Sequence, residues 1–144
     1  MQALNGFQVE DHQTWQVVPL GIREVKVTDL LYSQTSISDH FQDGSPIHRL
    51  VADLKSGTVH PLQLRPLRVI DWPGRGLVTL DHRRVWCLKR FQEQLRETVH
   101  VKVDIYQLPG NLEHLFQIHP VLNELMRKYD TRGSGLRVNI RRRR

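Results

Sequence analysis

The chain has 144 residues, of which 39% are hydrophobic, so it is long enough for one compact domain and its composition excludes disorder. Its formal net charge of +6 favours polyanions as partners, although the charge is only +2 without the last four arginines and the surface could simply be basic. The single cysteine, Cys87, excludes an internal disulfide and a zinc site built from several cysteines, and no apolar run is long enough to cross a membrane.

The N-terminal third predicts short strands followed by a polar loop. Residues 1–20 carry scattered apolar side chains that fit one or two short strands, and residues 22–27 alternate as a half-buried strand does. A turn is predicted at 28–32. Residues 33–44 read SQTSISDHFQDG and are rich in side chains that hydrogen-bond their own backbone. This stretch is either a binding loop or a solvated surface loop, and the solvated loop is the default interpretation.

A helix is predicted over residues 46–55. Ser45 suits the N-cap position and Pro46 suits the first helical position. The apolar residues follow the i, i+3, i+4, i+7 spacing of a helix with one buried face: Ile47, Leu50, Val51 and Leu54. Gly57 fits the left-handed residue that commonly ends a helix.

The middle of the chain predicts a strand, a tight turn, a second strand and a helix. The strands are 67–72 and 77–80, and the turn between them reads Pro-Gly-Arg-Gly. The helix, 82–96, carries apolar residues at helical spacing: Val85, Leu88, Phe91 and Leu95. Cys87 lies among apolar neighbours in this helix, and packing is its expected role.

The C-terminal third predicts one strand, one long helix and a basic tail. Val and Ile alternate with polar residues over the strand 99–107, and the helix 111–129 bends at Pro120. A late strand is predicted at 136–140. The expected architecture is a small α+β domain over residues 1–135, with helices packed on a mixed sheet. The basic tail, 136–144, ends in four arginines that are expected to be mobile and to add affinity without specificity.

The start of the central helix carries four chemically active side chains in a row: Asp81, His82, Arg83 and Arg84. A helix N-terminus favours anions, and arginine forks bind phosphate oxygens in pairs, so this box predicts a phosphate site. An imidazole at this place can transfer protons near neutral pH, and the carboxylate can orient or activate water. The alternative is that the two arginines are surface charges that pair with Glu93 or Glu97.

Two segments resemble the N-terminal domain of ParB partition proteins. LVADLKSGTVHPLQLRPLRVI resembles the helix–Gly–Pro–strand segment of that family, and LDHRRVWCLK resembles the box that follows, Gly-Glu-Arg-Arg or Gly-Asn-His-Arg. Arg84 aligns with the last arginine of the box, whereas Asp81 replaces the usual Gly and His60 stands where ParB proteins often have Gln. Sulfiredoxin carries a Gly-Cys-His-Arg version. A second register puts Asp81 on its catalytic cysteine, so sulfinic-acid repair is not expected.

The resemblance implies a ParB/sulfiredoxin-like fold and a site for nucleotide phosphates or a nucleic-acid backbone. The implied function is a ParB-like nuclease acting on DNA or a nucleotide hydrolase, in some members a toxin or effector module. The rivals are a non-catalytic nucleotide- or nucleic-acid-binding module and a protein-interaction domain. The catalytic candidates are Asp81, His82, Arg83 and Arg84. The substrate-binding candidates are Gln34, Ser36, Ser38, His40, Asp43 and His60.

The expected partners are nucleic acid or a nucleotide, and a protein inhibitor, with no membrane. Mg²⁺ is the candidate cofactor, but the acidic and histidine residues of the polar loop, Asp39, His40 and Asp43, form no standard metal motif. Cysteine usage favours a reducing compartment, cytoplasm or nucleus, or delivery as an effector. Trp72 and Trp86 either stack on a base or pack in the core, and packing is the default. The position of residues 33–44 discriminates the hypotheses, because a working pocket requires that this loop converge on Arg84.

Overall fold

The computed structural model describes residues 18–107, 135–136 and 138–141, and these form an α+β fold, as predicted. The elements, in chain order, are β1 (Val18–Lys26), β2 (Leu30–Leu31), β3 (Ser36–Ser38), α1 (Ile47–Ser56), β4 (Leu67–Trp72), β5 (Gly76–Thr79), α2 (His82–Gln92), β6 (His100–Gln107) and β7 (Asn139–Arg141). Short 3-10 turns cover Val27–Asp29 and Pro61–Gln63. The strands predicted before residue 18 and the helix predicted at 111–129 lie outside the described residues.

A mixed sheet of five strands has the order β1-β6-β4-β5-β2. β1 is antiparallel to β6, β6 is parallel to β4, β4 is antiparallel to β5, and β5 is parallel to β2. The predicted turn between β4 and β5 is confirmed, with Gly74 and Gly76 at φ values of 80° and 120°, a region that favours glycine. The alternation predicted for β6 is also confirmed, because its apolar face is buried: Val101, Val103 and Ile105.

α1 confirms the predicted amphipathic helix but not its predicted cap. The helix begins at Ile47, after Pro46, and no side chain caps it. Ser45 instead donates its backbone N–H and its hydroxyl to Asp43 Oδ1, at 2.9 and 2.6 Å. These two bonds close a turn in the preceding loop, so the Ser45 oxygen does not reach the first helical amides. Gly57 ends the helix at a φ of 81°, as predicted.

α2 begins at the predicted residue and ends earlier than predicted, at Gln92 rather than residue 96. The side chain of Gln92 accepts from Val99 N at 2.6 Å and donates to the Glu97 carbonyl at 2.9 Å. These bonds hold the chain in a tight return from the helix to β6. Leu95, which fits the helical apolar spacing, consequently lies outside the helix and is 40% exposed.

The two helices pack together beside the sheet, and Cys87 lies in their contact. Its thiol donates to the Ile47 carbonyl oxygen at 3.2 Å, across the α1–α2 contact. Burial raises the pKa of this thiol to about 12, so the thiolate that reacts with electrophiles or metals is disfavoured. The predicted packing role of Cys87 is confirmed.

β3 and β7 form a second, parallel sheet of two strands that pairs residues 139–141 with residues 36–38. Gly135, which precedes β7, contacts the segment before β3, because its carbonyl accepts from Tyr32 N at 2.6 Å. The predicted late strand exists but is shifted, to Asn139–Arg141. The expectation of a mobile tail is therefore wrong for Arg141, whereas residues 142–144 lie outside the described residues.

Candidate functional site

A cleft of about 550 Å³ opens where the start of α2 meets the polar loop and the start of β4. This volume falls within the range of small-ligand sites. Two groups of the residues predicted from sequence line it together: Asp81, His82, Arg83 and Arg84 from the helix start, and Gln34, Ser38 and Asp43 from the loop. The loop therefore converges on Arg84, which is the arrangement that a working pocket requires.

Arginines dominate the charge of the cleft. Five line it: Arg65, Arg68, Arg83, Arg84 and Arg141. The acidic lining residues are Asp43 and Asp81, so the lining carries a formal charge of +3. Five guanidinium groups around one concave surface focus a positive potential there. The structure thus favours an anionic ligand far more strongly than the modest net charge of the whole chain does.

Asp81 joins the start of α2 to the neighbouring strand β4 through hydrogen bonds and ion pairs. Its Oδ2 accepts from Arg68 N at 2.6 Å and lies 3.2 Å from Arg84 Nη2, while its Oδ1 lies 3.3 Å from Arg68 Nη2. Burial by itself raises the pKa of this carboxyl, but the Arg68 N–H and the two guanidinium groups outweigh burial and lower the pKa overall. A carboxylate so stabilised is a poor proton acceptor, so the geometry favours positioning over acid–base chemistry.

Arg84 contacts Asp81 and also binds the segment that precedes β4. Its Nη1 donates to the Arg65 carbonyl at 2.5 Å, and its Nη2 donates to the Pro66 carbonyl at 3.4 Å as well as facing Asp81. Burial lowers the pKa of this guanidinium, and the Asp81 carboxylate opposes that shift. Much of the Arg84 fork is therefore used to hold the segment before β4 against α2, while the residue also lines the cleft.

His82 is the first residue of α2, and it is only 4% exposed. Its Nε2 lies 3.2 Å from Ser33 N and 2.7 Å from Ser33 Oγ. A backbone N–H can only donate, so Nε2 is the acceptor and the ring proton resides on Nδ1. Ser33 is fully buried as well, so the Nε2 atom of His82 is not available to a ligand, although His82 is among the residues that line the cleft. The geometry favours a structural role for His82, and its catalytic role stays a prediction.

Arg83 is oriented by the polar loop. Its Nη1 donates to the His40 carbonyl at 2.8 Å, and its Cζ lies 6.0 Å from the centre of the Phe41 ring. One face of the guanidinium is thus fixed by a cation–π contact while the group lines the cleft. The alternative, in which Arg83 and Arg84 pair with Glu93 or Glu97, is not what the structure shows for either arginine.

Arg141 reaches the cleft from the other end of the chain. Its Nη1 donates to Ser36 O at 3.2 Å and to Ser36 Oγ at 2.7 Å. β7 places it there, because Arg141 pairs with Ser38 in the β3–β7 register. Ser36, a predicted substrate-binding residue, thereby serves as an anchor for an arginine that was grouped with the tail.

Three of the five arginines were not predicted to lie at this site: Arg65, Arg68 and Arg141. A signal for Arg68 exists, because the predicted hairpin sets Val69 against Thr79 and therefore places Arg68 beside the residues that lead into the box. Leu80 N indeed donates to the Arg68 carbonyl at 2.9 Å. For Arg141 no local signal exists, since the pairing of β7 with β3 joins segments about one hundred residues apart.

Two predicted ligand-binding residues have other positions. His60 does not reach the cleft, because it caps the turn Pro61–Gln63, where its Nδ1 accepts from Leu62 N at 3.2 Å. It lines a second cleft, near the ends of α1 and α2. His40 supplies its carbonyl to Arg83, and its ring Nδ1 lies 2.7 Å from Asp39 Oδ1.

The described residues contain no cluster of three or more His, Cys, Asp or Glu side chains that could hold a metal ion. Mg²⁺ binding therefore gains no support from Asp39, His40 and Asp43, and a bound nucleotide would have to supply ligands of its own. In the part of the chain that the structure describes, no helix is long and apolar enough to span a bilayer.

The fold and the site define an α+β protein with an arginine-lined cleft at a strand-to-helix junction. Comparisons with protein-family models, with curated proteins and with solved structures found no match to this chain. The relationship to the ParB and sulfiredoxin families accordingly stays a prediction from the two sequence segments that resemble them.

Proposed function

We propose that this protein binds the phosphate groups of nucleotides or nucleic acid in the arginine-lined cleft. The observation that carries the proposal is the convergence of five arginines from three separate segments of the chain on one cleft. Repulsion between like charges destabilises a fold, whereas a positively lined cleft attracts anionic ligands, so such a cluster is typical of a binding site. Three of them, Arg65, Arg68 and Arg141, do not belong to the box by which the ParB-like resemblance implies a phosphate site, so they support the same function independently.

The arginines of the cleft have two different roles, structural support and ligand binding. Arg84 and Asp81 bind one another and the strand, and they hold the floor of the cleft. Arg65 and Arg141 are exposed at its rim, and Arg83 is fixed by the polar loop. Guanidinium groups held at fixed places around a site match the several oxygens of a phosphate better than lysines do.

Alanine substitution of two arginines that line the cleft tests the proposal. We expect Arg65→Ala and Arg83→Ala each to weaken binding of nucleoside triphosphates or oligonucleotides by about tenfold, the cost of one charge-assisted hydrogen bond. Arg96→Ala is the matched control, because Arg96 is exposed and does not line the cleft. Titration calorimetry, with and without Mg²⁺, measures the affinities. Equal binding by all three variants and the wild type would refute the phosphate site.

Phosphodiester or phosphoanhydride hydrolysis is the second candidate function, and one contact favours it. The Asp39 carboxylate holds the His40 ring by its Nδ1 at 2.7 Å, the orientation that prepares the opposite ring nitrogen to move a proton. His40 is a quarter exposed and does not itself line the cleft, but Ser38 and Phe41, on either side of it in the chain, do. Under this hypothesis His40 acts as general base or acid, while Asp81 and His82 support the structure.

A measurement of substrate turnover distinguishes hydrolysis from phosphate binding alone. A hydrolase should release phosphate or nucleotides from a bound substrate, and His40→Gln should abolish that release while leaving affinity within about twofold. His48→Gln is the control, because His48 is exposed on α1 and does not line the cleft. Binding without turnover of plasmid, RNA or any nucleoside triphosphate would leave the binding module as the function.

A further inference from the structure

One face of α2 carries positively charged residues beyond the edge of the cleft. Arg83, Trp86 and Arg90 lie three and four positions apart, so they follow one another along the same side of the helix. Arg83 lines the cleft, whereas Trp86 and Arg90 do not. We call these three residues the α2 stripe.

Cations and aromatic rings alternate along the α2 stripe. Arg83 lies over the Phe41 ring at 6.0 Å, and Arg90 lies over the Trp86 ring at 5.7 Å. His48 of α1 meets the Trp86 ring edge-on, with 5.4 Å between ring centres. Each guanidinium group thus lies near a ring face, which limits its orientation, and one nitrogen of each is already engaged, by the His40 carbonyl for Arg83 and by Glu93 for Arg90.

One acidic side chain opposes this charge pattern at the far end. Glu93 Oε1 lies 3.4 Å from Arg90 Nη1, but the two side chains are 64% and 56% exposed. Such an exposed pair contributes little and is screened by salt, so an approaching phosphate competes with it readily.

We propose that the α2 stripe extends the cleft into a track for single-stranded nucleic acid. This inference rests on the proposed phosphate-binding function and names its ligand. One phosphate occupies the cleft and the strand runs along α2. A base stacks on the Trp86 face that Arg90 covers in the free protein, and the displaced Arg90 guanidinium meets a further phosphate. Interleaved aromatic rings and cations are how proteins hold single strands without reading sequence.

The geometry selects a single strand over a duplex. Rings on a helix face can stack only with bases that have left a base-paired stack, because the bases of a duplex are covered by their neighbours. From Arg83 to Arg90 the helix rises roughly 10 Å. At about 3.4 Å per nucleotide of a stacked strand, the stripe matches about three nucleotides, and fewer of an extended strand.

The test compares ligand lengths in two sets of variants. The ligands are thymidine triphosphate, ten-nucleotide oligothymidine and oligouridine strands, and a ten-base-pair duplex, measured by calorimetry and fluorescence anisotropy. We expect Trp86→Leu and Arg90→Ala each to weaken binding of the single strands by about fivefold to thirtyfold, while triphosphate affinity changes less than twofold. Trp86→Phe keeps a ring and should recover most of the affinity lost in Trp86→Leu. The oligothymidine and oligouridine strands distinguish DNA from RNA as the ligand.

A matched pair of controls lies at the β4–β5 turn. Arg75 rests over Trp72 at 5.6 Å, the same contact as in the stripe, and neither residue lines the cleft. Trp72→Leu and Arg75→Ala should therefore leave single-strand binding unchanged. Arg90 is exposed, so Arg90→Ala tests the stripe even if Trp86→Leu impairs folding.

The outcomes separate this inference from the function on which it rests. If Arg65→Ala weakens binding of triphosphate and oligonucleotide, but the stripe variants bind like the turn variants, the stripe is refuted and the cleft stands. If Arg65→Ala changes neither affinity, the phosphate-binding cleft itself is refuted. Binding of the duplex as tightly as of the single strands, with equal sensitivity to Trp86→Leu, would also overturn the single-strand track.

Discussion

Arg141 binds Ser36 through both its hydroxyl and its carbonyl oxygen, although the two residues are 105 positions apart in the chain. This contact places Arg141, the first of the four terminal arginines, in the lining of the cleft. It also divides the terminal arginines, because Arg141 belongs to a strand while the three that follow it do not lie in the described part of the chain.

Two truncations separate the strand from the tail. Removal of residues 142–144 should weaken nucleic-acid binding modestly, with little change in melting temperature. The slope of log affinity against log salt concentration should fall by the equivalent of up to about three phosphate contacts. Additional removal of Arg141 should cost about another tenfold in affinity, since a rim guanidinium is lost. Binding measured between 50 and 300 mM salt reports both effects. Identical behaviour of the two truncated chains would show that Arg141 adds nothing beyond the tail.

Gly135 should affect how accurately β7 positions Arg141 in the cleft. A Cβ at this position would lie 2.7 Å from Tyr32 O, and φ is +80°, so Gly135→Ala meets both a clash and an unfavourable backbone region. We expect a loss of about 1–3 kcal/mol in unfolding free energy and a loss of affinity similar to that of Arg141→Ala.

Gly74→Ala provides the matched control for that experiment. Gly74 has the same φ of 80°, yet nothing lies within 4 Å of its would-be Cβ. This variant should show only the backbone cost, about 1 kcal/mol, and normal ligand affinity. If Gly135→Ala and Gly74→Ala behave alike in denaturation and in binding, the close approach to Tyr32 has no consequence.

Asp81 should stabilise the fold in a pH-dependent way. Its pKa is lowered in the folded protein, so its contribution is complete above the unfolded pKa, near 4, and is lost as pH falls through the lower folded pKa. Asp81→Asn should therefore be less stable than the wild type at pH 7, and the difference should shrink steadily below about pH 4. Urea denaturation from pH 7 to pH 3 measures it. A difference that does not change over this range would contradict the charged network.

Arg84→Ala should lose stability as well as function. Its guanidinium bonds two carbonyls and faces Asp81, so truncation leaves a half-buried carboxylate with fewer partners. We expect a loss of about 2–3 kcal/mol in unfolding free energy, and Arg84→Lys should recover part of it because an ammonium cannot make the same fork. Arg65→Ala, at the exposed rim, should lose ligand affinity with a change in stability below about 0.5 kcal/mol. A fully stable Arg84→Ala that has lost binding would instead assign Arg84 to direct ligand contact.

His82→Ala should act on folding before it acts on any reaction. Loss of the imidazole leaves the buried N–H of Ser33 without that acceptor, which costs about 1–3 kcal/mol, and removes a ring stacked 6.3 Å from that of Tyr32. The expected result is a lower melting temperature with ligand affinity retained in the folded fraction. Normal stability combined with lost turnover would restore His82 as a catalytic residue.

The local patterns of the sequence determined the secondary structure of the middle of the chain. The apolar period of α1, the alternation of β6 and the glycine-rich turn between β4 and β5 each depend on residues within a few positions of one another. The box at the start of α2 was recognisable for the same reason. Local capping was less certain, because Ser45 had two partners within reach and bonds Asp43 rather than the helix.

Only the tertiary structure decided what the box does. Whether Asp81 and Arg84 face a ligand or one another depends on β4 and the segment before it. β4 presents the Arg68 N–H to Asp81, and the preceding segment presents the Arg65 carbonyl to Arg84. The burial of His82 against Ser33 and the arrival of Arg141 depend on contacts between residues 49 and 105 positions apart. Sequence periodicity carries no record of such distances, because it reflects which face of an element is buried and not which element covers it.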